Sequence, residues 1–296
     1  MNGHVPVLRD EVVQGLDPKV GEHLLDLTLG RGGHASVILE KTAPGGRLVG
    51  VDQDPDALTH AAEILPPDRS QLVHGNFGDL PDLRKSIGVG TWDLVLADLG
   101  VSSPQLDESD RGFSFRKDGP LDMRMDTTRQ GTAAELLERI TEGQLVNLIS
   151  ELGEDRFARR IAAAIVRAQA EEPIRSTERL AEVIRAAVPN QKDSKVDAAT
   201  RTFQALRIAI NGELDALQHL LDRAGSLLSP GGRLAVISYH SLEDRKVKET
   251  FRTLMKEGDH RLVTPRPVRP TDSEVRTNPR SRSARMRIIS RLGGTS

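Results

Sequence analysis

Three short apolar runs of this chain close on an aspartate: Leu24-Leu25-Asp26, Leu48-Val49-Gly50-Val51-Asp52 and Leu94-Val95-Leu96-Ala97-Asp98. Between the first two lies Leu27-Thr28-Leu29-Gly30-Arg31-Gly32-Gly33-His34-Ala35, a glycine-rich turn that leads into a helix-compatible segment. This is the β-loop-α-β layout of a nucleotide-type cofactor site. Its glycines let the backbone turn sharply and come close to a ligand. An acid closing the second strand, about 20 residues on, sits where a ribose would offer its hydroxyls, so Asp52 is the candidate ribose acceptor. Gly30-Arg31-Gly32-Gly33-His34-Ala35 also fits G-x-G-x-x-A, the dinucleotide pattern. Asp26, however, stands in the approach to Gly30. A carboxylate there would repel a pyrophosphate at the helix N-terminus, where negative charge is otherwise welcome. It suits a cofactor with a cationic end, such as the sulfonium and ammonium of S-adenosylmethionine. A methyl donor, a dinucleotide and a ligand-free turn all stay open on the loop alone, and Asp26 favours the first.

The other candidates follow the later strands. His74-Gly75-Asn76-Phe77 would put an aromatic ring at the sheet edge, where Phe77 either carries a purine or packs in the core. Asp98-Leu99-Gly100-Val101-Ser102-Ser103-Pro104-Gln105 falls where an amino-methyltransferase must hold its target amine. An exocyclic base amine is a poor nucleophile, and acceptors that grip its hydrogens help by positioning it. Many such enzymes carry [D/N/S]-P-P-[Y/F/W] here. This chain instead offers Asp98 and the Ser102-Ser103-Pro104 turn. The histidines show no Ser-His-Asp order and no metal-ligand spacing. His34 opens a helix and would meet a cofactor through its backbone; His240 falls near the cleft, with a structural role equally open.

These residues need a parallel sheet to bring them together. Strands are expected at His23–Asp26, Arg47–Asp52, Gln71–His74, Trp92–Asp98 and Arg233–Ser238, with a last alternating run, Met286–Leu292, wet on one face. Helices near Ala35–Lys41, Pro55–Ile64 and Asp79–Lys85 set a βα rhythm, which implies a parallel sheet with ligands beyond its carboxyl ends. After Asp98 the rhythm breaks for longer than one crossover needs. Capping boxes at Thr132–Glu135 and Thr141–Gln144, then helical runs at Glu154–Gln169, Thr177–Val188 and Thr200–Leu228, predict an inserted helical domain over residues 116–211. Residues 1–115 and 212–296 would form the second, discontinuous domain.

Composition bounds the rest. The chain has 296 residues, no cysteine and a net charge of -2, so disulfides and thiolate metal sites are excluded and the molecule as a whole is not a polyelectrolyte binder. No apolar run approaches the ~20 residues of a membrane span, and the start lacks a signal-peptide pattern. A cytoplasmic protein is expected, with neither membrane nor metal partner. Arginines recur at 261, 266, 269, 276, 280, 282, 285, 287 and 291, opposed only by Asp272 and Glu274. A local basic surface of this kind is a nucleic-acid footprint, in which Arg280, Arg282 and Arg285 would contact phosphate; a solvated tail is the plainer reading. A nicotinamide oxidoreductase and an inactive RNA-binding assembly factor are the competing functions, and a homodimer is left open.

Taken together, His4-Val5-Pro6-Val7-Leu8, Leu29–His34, Asp98–Gln105, Phe113–Asp126, Thr200–Ile208, Ser238–Asp244 and Asn278–Ala284 resemble the bacterial 16S rRNA cytosine-N4 methyltransferase family (RsmH, formerly MraW). The resemblance implies an α/β class I S-adenosylmethionine-dependent methyltransferase (Rossmann-like) fold with an inserted all-helical domain. It also implies methylation of N4 of one cytidine in the decoding centre of 16S rRNA, within the small ribosomal subunit. Cofactor positions carried over from it are Gly32, Gly33, His34, Asp52, Phe77, Asp98 and Gln105, with Asp98 also the candidate catalytic residue. The family usually shows His-Pro before Ala-Thr-Arg, where this chain has Asp197-Ala198.

Overall fold

A computed structural model of the chain describes residues 5–80, 83, 88, 90–189 and 196–293. The helix expected over Asp79–Lys85 falls largely outside the described residues. The chain divides into two compact units, Met1–Gly100 with Leu214–Ser296, and Val101–Glu213.

The first unit is built on a seven-stranded sheet of order β3-β2-β1-β4-β5-β7-β6. Its strands are β1 (Leu24–Asp26), β2 (Leu48–Asp52), β3 (Ser70–His74), β4 (Trp92–Asp98), β5 (Leu228–Ser238), β6 (His260–Leu262) and β7 (Arg285–Arg291). Strands β1 to β5 run parallel, and β7 is antiparallel between β5 and β6. Successive residues of a strand point to opposite faces, and here both faces are covered. Leu25, Val49, Val51, Val95 and Ala97 feed one apolar layer, while Leu24, Leu48, Leu94 and Leu96 feed the other. This explains the continuous apolar runs in the sequence, since only a sheet buried on both sides asks for them. Helices α1 (Arg9–Leu16), α2 (Gly33–Lys41) and α3 (Pro55–Ile64) belong to this unit, and α1 had no clear sequence signal. The arrangement is the Rossmann-like fold of class I methyltransferases.

Three sequence expectations change here. Strand β7 is not wet on one face. Met286 and Ile288 enter one layer and Ile289 the other, and Arg287 is covered through its pairing with Asp244. The long helix expected over Thr200–Leu228 is broken at Gly212, whose φ of +60° ends it. The division between the units also falls at Gly100/Val101, earlier than residue 116. Phe113 is buried in the apolar core of the second unit, and Arg111 donates to the carbonyl oxygens of Arg124 and Met125.

That second unit holds α4 (Ser103–Asp107), α5 (Ala133–Arg139), α6 (Glu142–Gly153), α7 (Ala158–Glu171), α8 (Thr177–Ala187) and α9 (Thr200–Asn211). Thr132 and Thr141 cap α5 and α6 through reciprocal boxes with Glu135 and Gln144, as their spacing predicts. Asp197, which stands in place of the usual His, pairs with Arg185 at 2.9 Å and accepts the Ala199 N–H at the start of α9.

Candidate active site

Pairing register sets the depth of each acid. Asp26 lies opposite Gly50 on β2 and Leu96 on β4. Asp52 and Asp98 therefore each project two residues further toward the carboxyl edge, about 6.6 Å at strand rise. Asp26 is accordingly 1% exposed, whereas Asp52 and Asp98 are half-buried on the rim. Burial pushes Asp26 up to about 7, against the opposing pull of nearby His34 and of the Thr28 N–H bonded to its Oδ1. Its carboxylate underlies the loop from within the protein and is not displayed to a ligand, which changes the picture from sequence.

Asp52 ties the loop to the second strand. Its Oδ2 accepts the Gly30 N–H at 2.7 Å and its Oδ1 the Asp54 N–H at 2.9 Å. Burial raises its pKa to about 6, with those backbone bonds pulling the other way. A carboxylate has about four lone-pair positions, and the Gln53 N–H also bonds this one, so one remains for a ribose hydroxyl. Gly30 and Gly32 have φ of +54° and +79°, a region that favours glycine. Gly33 is required for another reason, because a Cβ there would lie 2.7 Å from the Pro6 ring. Helix α2 starts at Gly33 with no side-chain cap.

His34, in the first turn of α2, is 8% exposed. Among the described residues neither of its ring nitrogens has a hydrogen-bond partner, and Nε2 stands 3.6 Å from Asp98 Oδ2. Phe77 opens a short 3-10 turn after β3 and packs, half-buried, against the sheet's apolar layer. Asn76 holds that turn by accepting the Gly78 N–H and donating to Gln53 Oε1.

Asp98 is fixed from two sides. Its N–H donates to Thr28 Oγ1 at 2.6 Å, and its Oδ1 accepts from the Tyr239 hydroxyl at 2.9 Å. Tyr239 was passed over in the sequence, where only His240 was singled out. The available signal was topological: β5 neighbours β4, so the residue after β5 lands beside the end of β4. His240 Nε2 lies 3.2 Å from Glu243 Oε1, and Glu243 also accepts the Tyr239 and His240 N–H groups. This ties His240 to the start of α10 (Ser241–Glu257).

Gln105 belongs to the second unit. There it is buried, and its side-chain oxygen accepts the Ser102 N–H while Ser102 Oγ accepts the Gln105 N–H. The Ser102-Ser103-Pro104 turn is thus the capped start of α4. Among the basic residues, Arg285 and Arg287 both donate to Asp244. Burial alone would raise that carboxyl, but the two arginines hold it below its usual range. Arg285 is therefore engaged by the protein and leaves the proposed phosphate set. Arg291 donates to the Leu228 carbonyl, while Arg266, Arg269, Arg276, Arg280 and Arg282 are exposed.

The carboxyl edge thus holds an open glycine turn, two rim carboxylates with unfilled lone pairs, and an imidazole that has no hydrogen-bond partner among the described residues. Such a donor set fits a small cofactor with ribose hydroxyls and a cationic group. Among the described residues no cluster of His and acid groups could hold a metal, and no helix is long and apolar enough to cross a membrane.

Residues 1–292 match the profile of the MraW methylase family. A protein of Pelobacter propionicus named ribosomal RNA small subunit methyltransferase H is 47% identical over 98% of this chain and 98% of its own length. Proteins of the same name from Symbiobacterium thermophilum and Synechococcus elongatus are 47% and 49% identical, each over 98% of this chain and over 96% and 95% of their own lengths.

Proposed function

We propose that this chain, which belongs to the MraW methylase family, transfers a methyl group from S-adenosylmethionine to small-subunit ribosomal RNA, and that the acceptor is the exocyclic N4 amine of a cytidine in the decoding centre of 16S rRNA. The observation that carries the reading is identity of 47% along 98% of the chain to a ribosomal RNA small subunit methyltransferase H. The carboxyl edge supports it with groups suited to the chemistry.

In this reading Gly32, Gly33, His34, Asp52, Phe77, Asp98 and Gln105 bind the donor. When bound, S-adenosylmethionine supplies a methyl already activated on its sulfonium. Asp52 holds the ribose with the lone-pair capacity that the Gly30, Gln53 and Asp54 N–H groups leave free. His34, with no hydrogen-bond partner among the described residues, and the half-buried Asp98 line the turn beside it. Asp98 accepts hydrogens of the target amine and draws its nitrogen out of conjugation, so positioning supplies much of the rate. The amine becomes strongly acidic as it is methylated and loses its proton without a tuned histidine.

The test is radiolabelled methyl transfer to small ribosomal subunits, with EDTA present and the product nucleoside identified. Labelled N4-methylcytidine is expected. Methyl on carbon 5 or on the ribose overturns the N4 assignment. Asp98→Asn should slow single-turnover transfer at least ~10-fold, and His240→Ala should do less. Stabilisation of the protein by S-adenosylhomocysteine but not by NAD is expected from ligand linkage, and the converse overturns the cofactor.

A further inference from the structure

Two aspartates of the first unit are held in different ways. Asp244 is gripped by two guanidinium groups, from Arg285 and Arg287, and its charge is spent inside the protein. Asp98 is held by a neutral hydroxyl. Tyr239 donates to Oδ1 at 2.9 Å, and its own backbone N–H is fixed on the buried Glu243 at 2.8 Å. A hydroxyl orients a carboxylate without neutralising it. The terminal torsion of an aspartate is broad when nothing constrains it, and one anchored oxygen removes most of that freedom. The other oxygen, Oδ2, stands 3.6 Å from His34 Nε2, beyond hydrogen-bond length.

We infer that Tyr239 is a positioning residue for methyl transfer, turning the Asp98 carboxylate so that Oδ2 is the oxygen offered to the acceptor amine. The inference rests on the role given to Asp98 above. Burial, then the charge of Asp98, pushes the Tyr239 hydroxyl well above the usual phenol range, and Glu243 and Glu274 add to the shift. The group therefore remains a donor across working pH.

Tyr239 is the only tyrosine in the chain, so its ionisation can be followed directly by tyrosinate absorbance in the ligand-free protein. The wild type should ionise at higher pH than Asp98→Asn; coincident titrations overturn the bond. In single turnover, Tyr239→Phe should lower methyl transfer roughly 10-fold, the scale of one lost positioning contact. Calorimetric affinity for S-adenosylhomocysteine should stay within about threefold of wild type. In an Asp98→Ala background the same change should cost less than about twofold, because contacting residues couple. A wild-type rate for Tyr239→Phe with a slow Asp98→Ala overturns the inference and leaves Asp98 in place. A wild-type rate for Asp98→Ala removes Asp98 itself from the reaction. Donor affinity falling in step with rate would show that Tyr239 serves the donor instead.

Discussion

The carboxyl edge of the first unit and the Phe113–Asp126 segment of the second use the same residue types for opposite ends. Both are glycine-bearing stretches rich in aspartate, and both belong to the long blocks that resemble one family. At the edge, polar groups are left with capacity: among the described residues His34 has no hydrogen-bond partner, and Asp52 and Asp98 each have unfilled lone pairs. In the second unit the segment spends its polar groups within that unit. Asp122 takes two bonds from the Arg124 guanidinium at 2.7 Å each. Asn211 Oδ1 accepts the Met125 N–H and its Nδ2 donates to the Met123 carbonyl. Leu121, Met123 and Met125 meanwhile fill the helical core. Buried polar groups cost stability unless satisfied, so a satisfied cluster reads as structure and an open one as a place for a ligand.

The sharpest way to break this contrast is Asp52→Ala. Loss of a charge-assisted pair of hydrogen bonds should weaken donor binding by about 2–4 kcal/mol, with the fold retained. Calorimetric affinity within a factor of three of wild type would return Asp52 to a purely structural role. Asp122→Ala is the mirror experiment. It should lower unfolding stability by about 1–3 kcal/mol, because the Arg124 guanidinium loses its carboxylate partner and keeps only the Thr127 and Arg129 carbonyls, while donor affinity stays unchanged. If donor affinity falls and stability does not, the two regions have been assigned the wrong way round.

A third test sharpens the difference between the recessed acid and the rim acids. Asp26 has its pKa raised from 3.8 to about 7, so the folded chain favours its neutral form. Its contribution to stability is full below pH 3.8 and is lost as pH rises through about 7. Asp26→Asn should therefore stabilise the ligand-free protein at pH 8 by on the order of 1 kcal/mol or more. The gap should close by about pH 4. Thermal unfolding across that range measures it, and a gap that does not narrow on acidification would show that Asp26 is already ionised when buried. The smallest effect is expected from Arg280→Gln with Arg282→Gln. These changes should flatten the salt dependence of subunit binding by about 2 in log-log slope, roughly one per phosphate contact. Donor affinity should not move, and an unaltered slope would place the RNA surface elsewhere.

Much of the first unit was legible because its signals are local. Leu24–Asp26, Leu48–Asp52 and Trp92–Asp98 announce strands by apolar runs ending in acids, and Gly30 and Gly32 announce the turn by needing conformations that other residues resist. Pro55–Ile64 follows from its Asp54 cap and the proline at its first position. The Phe113–Asp126 segment has no period to read. Its conformation, with Met123 at φ +66°, is imposed by partners as distant as Asn211.

The sequence by itself determined six of the sheet's seven strands, β6 being the exception, together with the glycine turn and the set of candidate acids, because periodicity and backbone freedom act over a few residues. Only the tertiary structure decided their ranks. Strand register sank Asp26 by two residues and left Asp52 and Asp98 on the rim. The neighbouring of β4 and β5 set Tyr239 against Asp98, 141 positions away. The packing of β7 beside the start of α10 brought Arg285 to Asp244 and engaged its charge within the protein. Each of these outcomes depends on residues far apart in the chain, which no local pattern encodes.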